Sequence, residues 1–230
     1  MQYGRKGMSR TPRIEFEGAV YHVTNRGNGG DPIYRETSDW VGFLDVLSDV
    51  VTAFGWRLYG YCLMSNHYHL LLETPEANLS AGMKTLDETY TKRFNRAYTR
   101  TGHVFQGRYW AGLIMHDEHL VEAASYVLLN PVRAHLVDLP EQWQWSSCAA
   151  MAGMVERPLW LWTEWLPTDY KPQPGGTDNP FLSFVHQSMK SPRRANLDHV
   201  RGWSHRSVKT KVPDTNGTQV GQGVGCRQCR

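Results

Sequence analysis

Cysteine is scarce in this chain, with four in 230 residues and two of those among the last five. That is too few for a disulfide scaffold and predicts a cytosolic rather than a secreted protein. No apolar run approaches the ~18–20 residues of a membrane span, and the N-terminus lacks the charged-then-apolar pattern of a signal peptide. A cytoplasmic location without membrane contact is therefore expected. No Gly-Lys-Ser/Thr phosphate loop occurs, so no nucleotide cofactor is expected. Charge of one sign is also missing from most of the chain. Residues 1–150 hold 14 basic against 16 acidic side chains, a net of −2, whereas residues 151–230 hold 11 against 6, a net of +5. Bulk charge therefore does not make the front part a nucleic-acid binder. Apolar residues at 40%, with 12% aromatic, do suffice for a real core.

Apolar periodicity is dense from about residue 12 to 150. Ala19–Asn25 is β-branched and aromatic and predicts a strand. Trp40, Phe43, Leu44, Leu47 and Val51 recur at helical spacing, with Ser38 as N-cap and Gly55 as the stop. Trp56–Met64 and His67–Glu73 read as two strands around a turn at Ser65-Asn66. A long helix is expected over Asn78–Arg100, a strand over Trp110–Met115, and a helix over His116–Val137 interrupted by Pro131. The order β-α-β-β-α-β-α predicts an α+β, ferredoxin-like (RRM-like) split β-α-β fold, with one central antiparallel sheet and helices on one face. Beyond about residue 168 Gly, Pro, Ser, Thr and Arg dominate, which predicts a disordered basic tail.

Two places carry chemistry. His67 and His69 are two apart on a strand, so both imidazoles emerge on one side. They are either ordinary sheet histidines or a pair sharing a metal ion; the apolar flanks favour the ion, because buried imidazoles need partners. Tyr126 and Asn130 are four apart on a helix and share a face. Tyr126 alone reads as core packing. With Asn130 beside it, an amide oxygen would join two histidine nitrogens and leave positions open for phosphate and water, with a tyrosine hydroxyl as nucleophile.

Lys92, Arg93, Arg96, Arg100 and Arg108 lie in an acid-free stretch, with Lys92, Arg96 and Arg100 spaced as a helical stripe. They are candidate DNA contacts, as are Arg13, Arg26 and Arg133, although a solvated helix face explains the charge equally well. Tyr98, Phe105, Tyr109 and Trp110 add surface for stacked bases. The terminal pair Cys226 and Cys229 lacks the second pair of a zinc site. His116 and His119 read as exposed or capping residues, and His22 stays open between site and core. Trp160, Trp162 and Trp165 read as packing of a last ordered element.

Several segments in order carry a family resemblance: GAVYHVTNRGN (18–28), YCLMSNHYHLLLETP (61–75), NLSAGMKTLDETYTKRFNR (78–96), GHVFQGRYWA (102–111), SYVLLNPVRAHLV (125–137) and WSS (145–147). Together they resemble the REP-associated tyrosine transposases, within the single-tyrosine HUH transposases and nucleases. The resemblance covers roughly residues 10 to 150. It implies an HUH endonuclease domain over 12–150, preceded by an extension (1–11) and followed by a short helical packing extension (151–168) and the tail (169–230). It further implies that His67 and His69 are the HUH histidines, that Asn130 is the third ligand of a Mg²⁺ or Mn²⁺ ion, and that Tyr126 forms a 5′-phosphotyrosine link. The implied partner is single-stranded DNA carrying a hairpin, in a cytoplasmic, nucleoid-associated setting, with a homodimer left open. Two alternatives stand beside this reading: a non-catalytic hairpin-binding protein of the same fold, and a small metallohydrolase in which Tyr126 has no role.

Overall fold

The computed structural model describes residues 14–115, 117–170 and 179–190. Four strands, β1 (Ala19–Arg26), β2 (Arg57–Met64), β3 (His67–Thr74) and β4 (Trp110–Ile114), form one sheet in the order β2-β3-β1-β4. Every pairing is antiparallel. This is the sheet order of the split β-α-β fold, and the predicted strands agree with it to within a residue or two.

Helices α1 (Thr37–Ala53) and α2 (Leu79–Ala97) cover one face. There Phe43 of α1 meets Tyr68 of β3 at a ring separation of 4.9 Å. Helix α3 (Asp117–Leu128) does not join them. Ala123 and Ala124 pack on Tyr59 and Leu71, and Leu71 faces oppositely to Tyr68 on the same strand. The expectation of helices on one face is thus corrected: the sheet is covered on both. Alternation on β3 permits this, since Tyr68, Leu70 and Leu72 serve one layer while Leu71 serves the other.

Helix boundaries also differ from expectation. α1 starts before Ser38, because Asp39 Oδ2 accepts the backbone N–H groups of Arg35 and Glu36. Its far end is closed by Gly55 at φ +63°, a conformation suited to glycine. α2 ends at Ala97, so Arg100 lies beyond it and the Lys92/Arg96/Arg100 stripe is cut short. The helix expected over His116–Val137 is broken into α3 and the short α4 (Asn130–Arg133). Pro131 has no N–H to give Val127, and the Asn130 side-chain amide donates to that carbonyl instead, at 3.2 Å.

The chain after α4 returns along the outer edge of β2. Leu63 N–H donates to Trp145 O, Ser147 N–H to Tyr61 O, and Trp162 N–H to Leu58 O. Trp143 Nε1 donates to Leu63 O and Trp165 Nε1 to Tyr59 O. Beyond α5 (Cys148–Met151) the chain up to residue 167 is not helical, and tryptophans and edge bonds hold it to β2. The segment expected as a disordered tail contains a helix. α6 (Pro180–Lys190) buries Phe181 and Val185, spaced by four, and His186 pairs with Glu141 at 3.0 Å. Arg13, Cys226 and Cys229 lie outside the described residues. Among the described residues no helix is long and apolar enough to cross a membrane.

Candidate functional site

Register places a row of polar side chains on the α3 face of the sheet. Arg26 pairs with His67, Thr24 with His69, and His22 with Leu71. Paired residues share a face, so Arg26, His67, His69 and His22 all project toward α3. The His67 and His69 rings stand 5.0 Å apart and nearly perpendicular. Tyr126 enters from α3 with its ring 6.0 Å from His69 and 5.9 Å from His22. One chain thus brings His67, His69 and Tyr126 together.

The second partners of these rings define their chemistry. His67 Nδ1 lies 2.7 Å from Asn66 Oδ1. That oxygen can only accept, because the Asn66 amide nitrogen donates to Gly30 O. His67 Nδ1 therefore carries the hydrogen and Nε2 the lone pair. His69 Nδ1 contacts His22 Nε2 at 2.9 Å. His22 is wholly buried, which pushes its pKa down to about 4 and keeps it neutral near pH 7. Trp110 packs against the site, its ring centre 5.6 Å from that of His22 and nearly perpendicular to it. Gly112 lets the indole fold over β4, since a Cβ there would lie 2.4 Å from the Trp110 ring.

Asn130 is buried and donates its amide to Tyr126 O at 2.9 Å as well as to Val127 O. Both amide hydrogens are engaged by the helix end, and Oδ1 is the atom suited to a cation. Arg133 is an exposed residue whose head group is nevertheless turned back on α3. Its guanidinium lies 4.8 Å from the Tyr126 ring centre and donates to Tyr126 O at 3.1 Å. Burial raises the Tyr126 pKa above its ordinary value, and the Arg133 charge opposes that rise.

Among the described residues no three His, Cys, Asp or Glu side chains gather as a metal cluster. The donors expected from the sequence are instead the His67 and His69 imidazoles and the Asn130 amide oxygen. Neutral nitrogen and oxygen donors of this kind fit a divalent ion that keeps open positions. The His67 tautomer fits it as well.

The other predicted contacts sit elsewhere. Lys92 and Arg108 line a groove of about 740 Å³ between α2 and the loop before β4. Asp87 lines the same groove and binds Tyr68 and Asn25, so the groove lies on the α1/α2 face, away from the histidines. Arg93 pairs with Asp45 at 3.3 Å. Arg100 lies 5.6 Å from the Phe94 ring, and Arg96 is exposed on α2. His22 is the site residue that sequence spacing leaves undecided. The signal that finds it is register, which sets it diagonal to His69.

Residues 19–128 match the model of the family described as Transposase IS200 like. A curated protein of Haemophilus influenzae, provisionally named a REP-associated tyrosine transposase, is 29% identical over 97 residues. That alignment covers 37% of this chain and 55% of the relative, so the chain spans about half the relative's length. A solved structure of a REP-associated tyrosine transposase bound to a REP hairpin superposes with a TM-score of 0.55, over 72% of this chain and 98% of that one, at 16% identity. The superposition establishes a shared fold, a four-stranded antiparallel sheet with helices. Residues 19–128 are thus similar in sequence to the family described as Transposase IS200 like, and the chain shares its fold with the hairpin-bound REP-associated tyrosine transposase.

Proposed function

We propose that this protein is a metal-dependent transesterase acting on single-stranded DNA that carries a hairpin. The observation that carries this reading is the tyrosine ring 6.0 Å from His69, beside the perpendicular His67/His69 pair, within one chain. His67, His69 and Asn130 would hold a Mg²⁺ or Mn²⁺ ion, which when bound supplies Lewis-acid polarisation of the scissile phosphate. The Tyr126 hydroxyl gives up its proton and its oxygen bonds to phosphorus. The bond from phosphorus to the departing 3′ oxygen breaks, and that oxygen leaves as a 3′-hydroxyl. The product is a 5′-phosphotyrosine link, which stores the phosphodiester energy without ATP. A second strand's 3′-hydroxyl then attacks, the tyrosine–phosphorus bond breaks, and Tyr126 regains its proton. Arg133 faces the charge that develops on the phenol oxygen, and Arg26 offers a cation on the His67 row. Lys92, Arg96 and Arg108 provide phosphate contacts around α2, and the hairpin partner is carried over from the hairpin-bound relative.

The test incubates labelled hairpin-bearing single strands with the protein and Mn²⁺ and looks for a denaturation-resistant DNA–protein adduct. The adduct is expected in wild type and absent in Tyr126→Phe. His67→Ala should abolish it while keeping much of the hairpin binding. Cleavage that persists in Tyr126→Phe refutes the nucleophile assignment. Shifted but uncut DNA in wild type points instead to a non-catalytic hairpin-binding protein.

A further inference from the structure

His22 has no part in the chemistry above, yet it is wholly buried against the site. We propose that His22 is a positioning residue that decides which nitrogen of His69 faces the divalent ion. The proposal rests on the metal reading of His67, His69 and Asn130.

Each neutral imidazole has one N–H and one lone pair. The 2.9 Å contact between His22 Nε2 and His69 Nδ1 therefore holds a single hydrogen, and two arrangements exist. In the first, His22 Nε2 donates. His69 then accepts at Nδ1 and carries its hydrogen on Nε2, where it blocks an ion. In the second, His69 Nδ1 donates to His22 Nε2, and His69 Nε2 presents a lone pair. Passing from first to second moves the hydrogen of each ring from Nε2 to Nδ1, so both rings stay neutral. The second arrangement places a hydrogen on His22 Nδ1, a buried atom with no hydrogen-bond partner. A buried N–H without an acceptor is unfavourable. A bound ion that takes the His69 Nε2 lone pair offsets that cost and selects the second arrangement.

The walls of the site keep His22 in this role. Its ring lies parallel to His69 within 14°, with Trp110 and Tyr126 set edgewise against it at 5.6 and 5.9 Å. It cannot turn to another partner without displacing one of them. His67 has no such choice, because Asn66 fixes its hydrogen on Nδ1. One ligand is therefore preset and the other is selected. A partner on the second ring nitrogen is the usual way a protein orients a metal-bound histidine.

The experiment measures Mn²⁺ affinity on the full chain without DNA, by the resonance signal of free Mn²⁺. It compares wild type, His67→Ala, His22→Leu and His22→Gln. Leucine fills the space without an acceptor, while glutamine sets an amide oxygen near the place of Nε2. Affinity is expected to fall about 10–100-fold in His22→Leu and to stay within about threefold of wild type in His22→Gln. Nitrogen-15 NMR of wild type saturated with Mg²⁺ should show the His69 hydrogen on Nδ1, and this readout holds even if the leucine variant fails to fold. Wild-type affinity in His22→Leu, equal losses in both His22 variants, or an Nε2 hydrogen on His69 in the Mg²⁺-bound protein would overturn the proposal. Those results leave the metal reading standing, provided His67→Ala loses Mn²⁺. A wild type that binds no Mn²⁺ removes the metal reading and this inference together.

Discussion

The strand that carries the histidines is strapped from its opposite side. Tyr68, between His67 and His69, is fully buried and donates its hydroxyl to Asp87 Oδ1 at 2.7 Å. Asn25 on β1 donates its amide to Asp87 Oδ2 at 2.8 Å. One carboxylate on α2 thereby ties both central strands. Burial and the neighbouring carboxylate push the Tyr68 pKa well up, so its hydroxyl stays a donor at all working pH values. Asp87→Leu strands two buried donors, each costing ~1–3 kcal/mol, for a loss of roughly 2–6 kcal/mol. Tyr68→Phe removes one donor and leaves Asp87 bonded to Asn25, a loss of about 1–2 kcal/mol. The double variant strands Asn25 alone, so its loss should fall short of the sum by about 2–5 kcal/mol. Urea unfolding followed by tryptophan fluorescence, in chelator, gives all three numbers. Losses that add to within about 0.5 kcal/mol would refute the strap.

Other consequences are as direct. Arg133→Ala removes the cation beside the Tyr126 ring and should slow adduct formation about tenfold, while hairpin binding measured in chelator changes little. A matching loss of binding would return Arg133 to the role of a DNA contact. Burial pushes the Tyr61 pKa up to about 12, against an ordinary 10. Above pH 10 the unfolded chain loses that proton and the folded chain keeps it, so stability falls between pH 10 and 12. The fall amounts to a little over 1 kcal/mol per pH unit. Tyr61→Phe should lose less stability than wild type between pH 9 and pH 11, as judged by urea midpoints.

Strands were legible because alternation along a half-buried sheet is written directly in residue order. His67 and His69 were legible for the same reason, and Tyr126 through its spacing to Asn130. His22 was not, because its role depends on which residue lies across from it, and register is a property of two segments. Arg133 was read as a DNA contact, although it lies seven residues, two helical turns, beyond Tyr126, and the α3–α4 path sets its guanidinium over the Tyr126 ring. The break at Pro131 was visible. Its consequence, an asparagine drawn in to cap the vacated carbonyl, appeared only with the backbone in place. In α6 the two buried residues Phe181 and Val185 were too few to stand out from a Gly- and Pro-rich background.

The return of the chain along β2 has a consequence for self-association. A sheet with an exposed edge is a template for a second sheet. Here backbone groups of Leu58, Tyr59, Tyr61 and Leu63 on that edge are already engaged by residues 143–165. Strand addition is therefore discouraged on the β2 side, and among the described residues the five-residue β4 is the edge left to meet another chain. A fragment cut at residue 142 would keep every residue of the candidate site and lose its protection against stacking into aggregates.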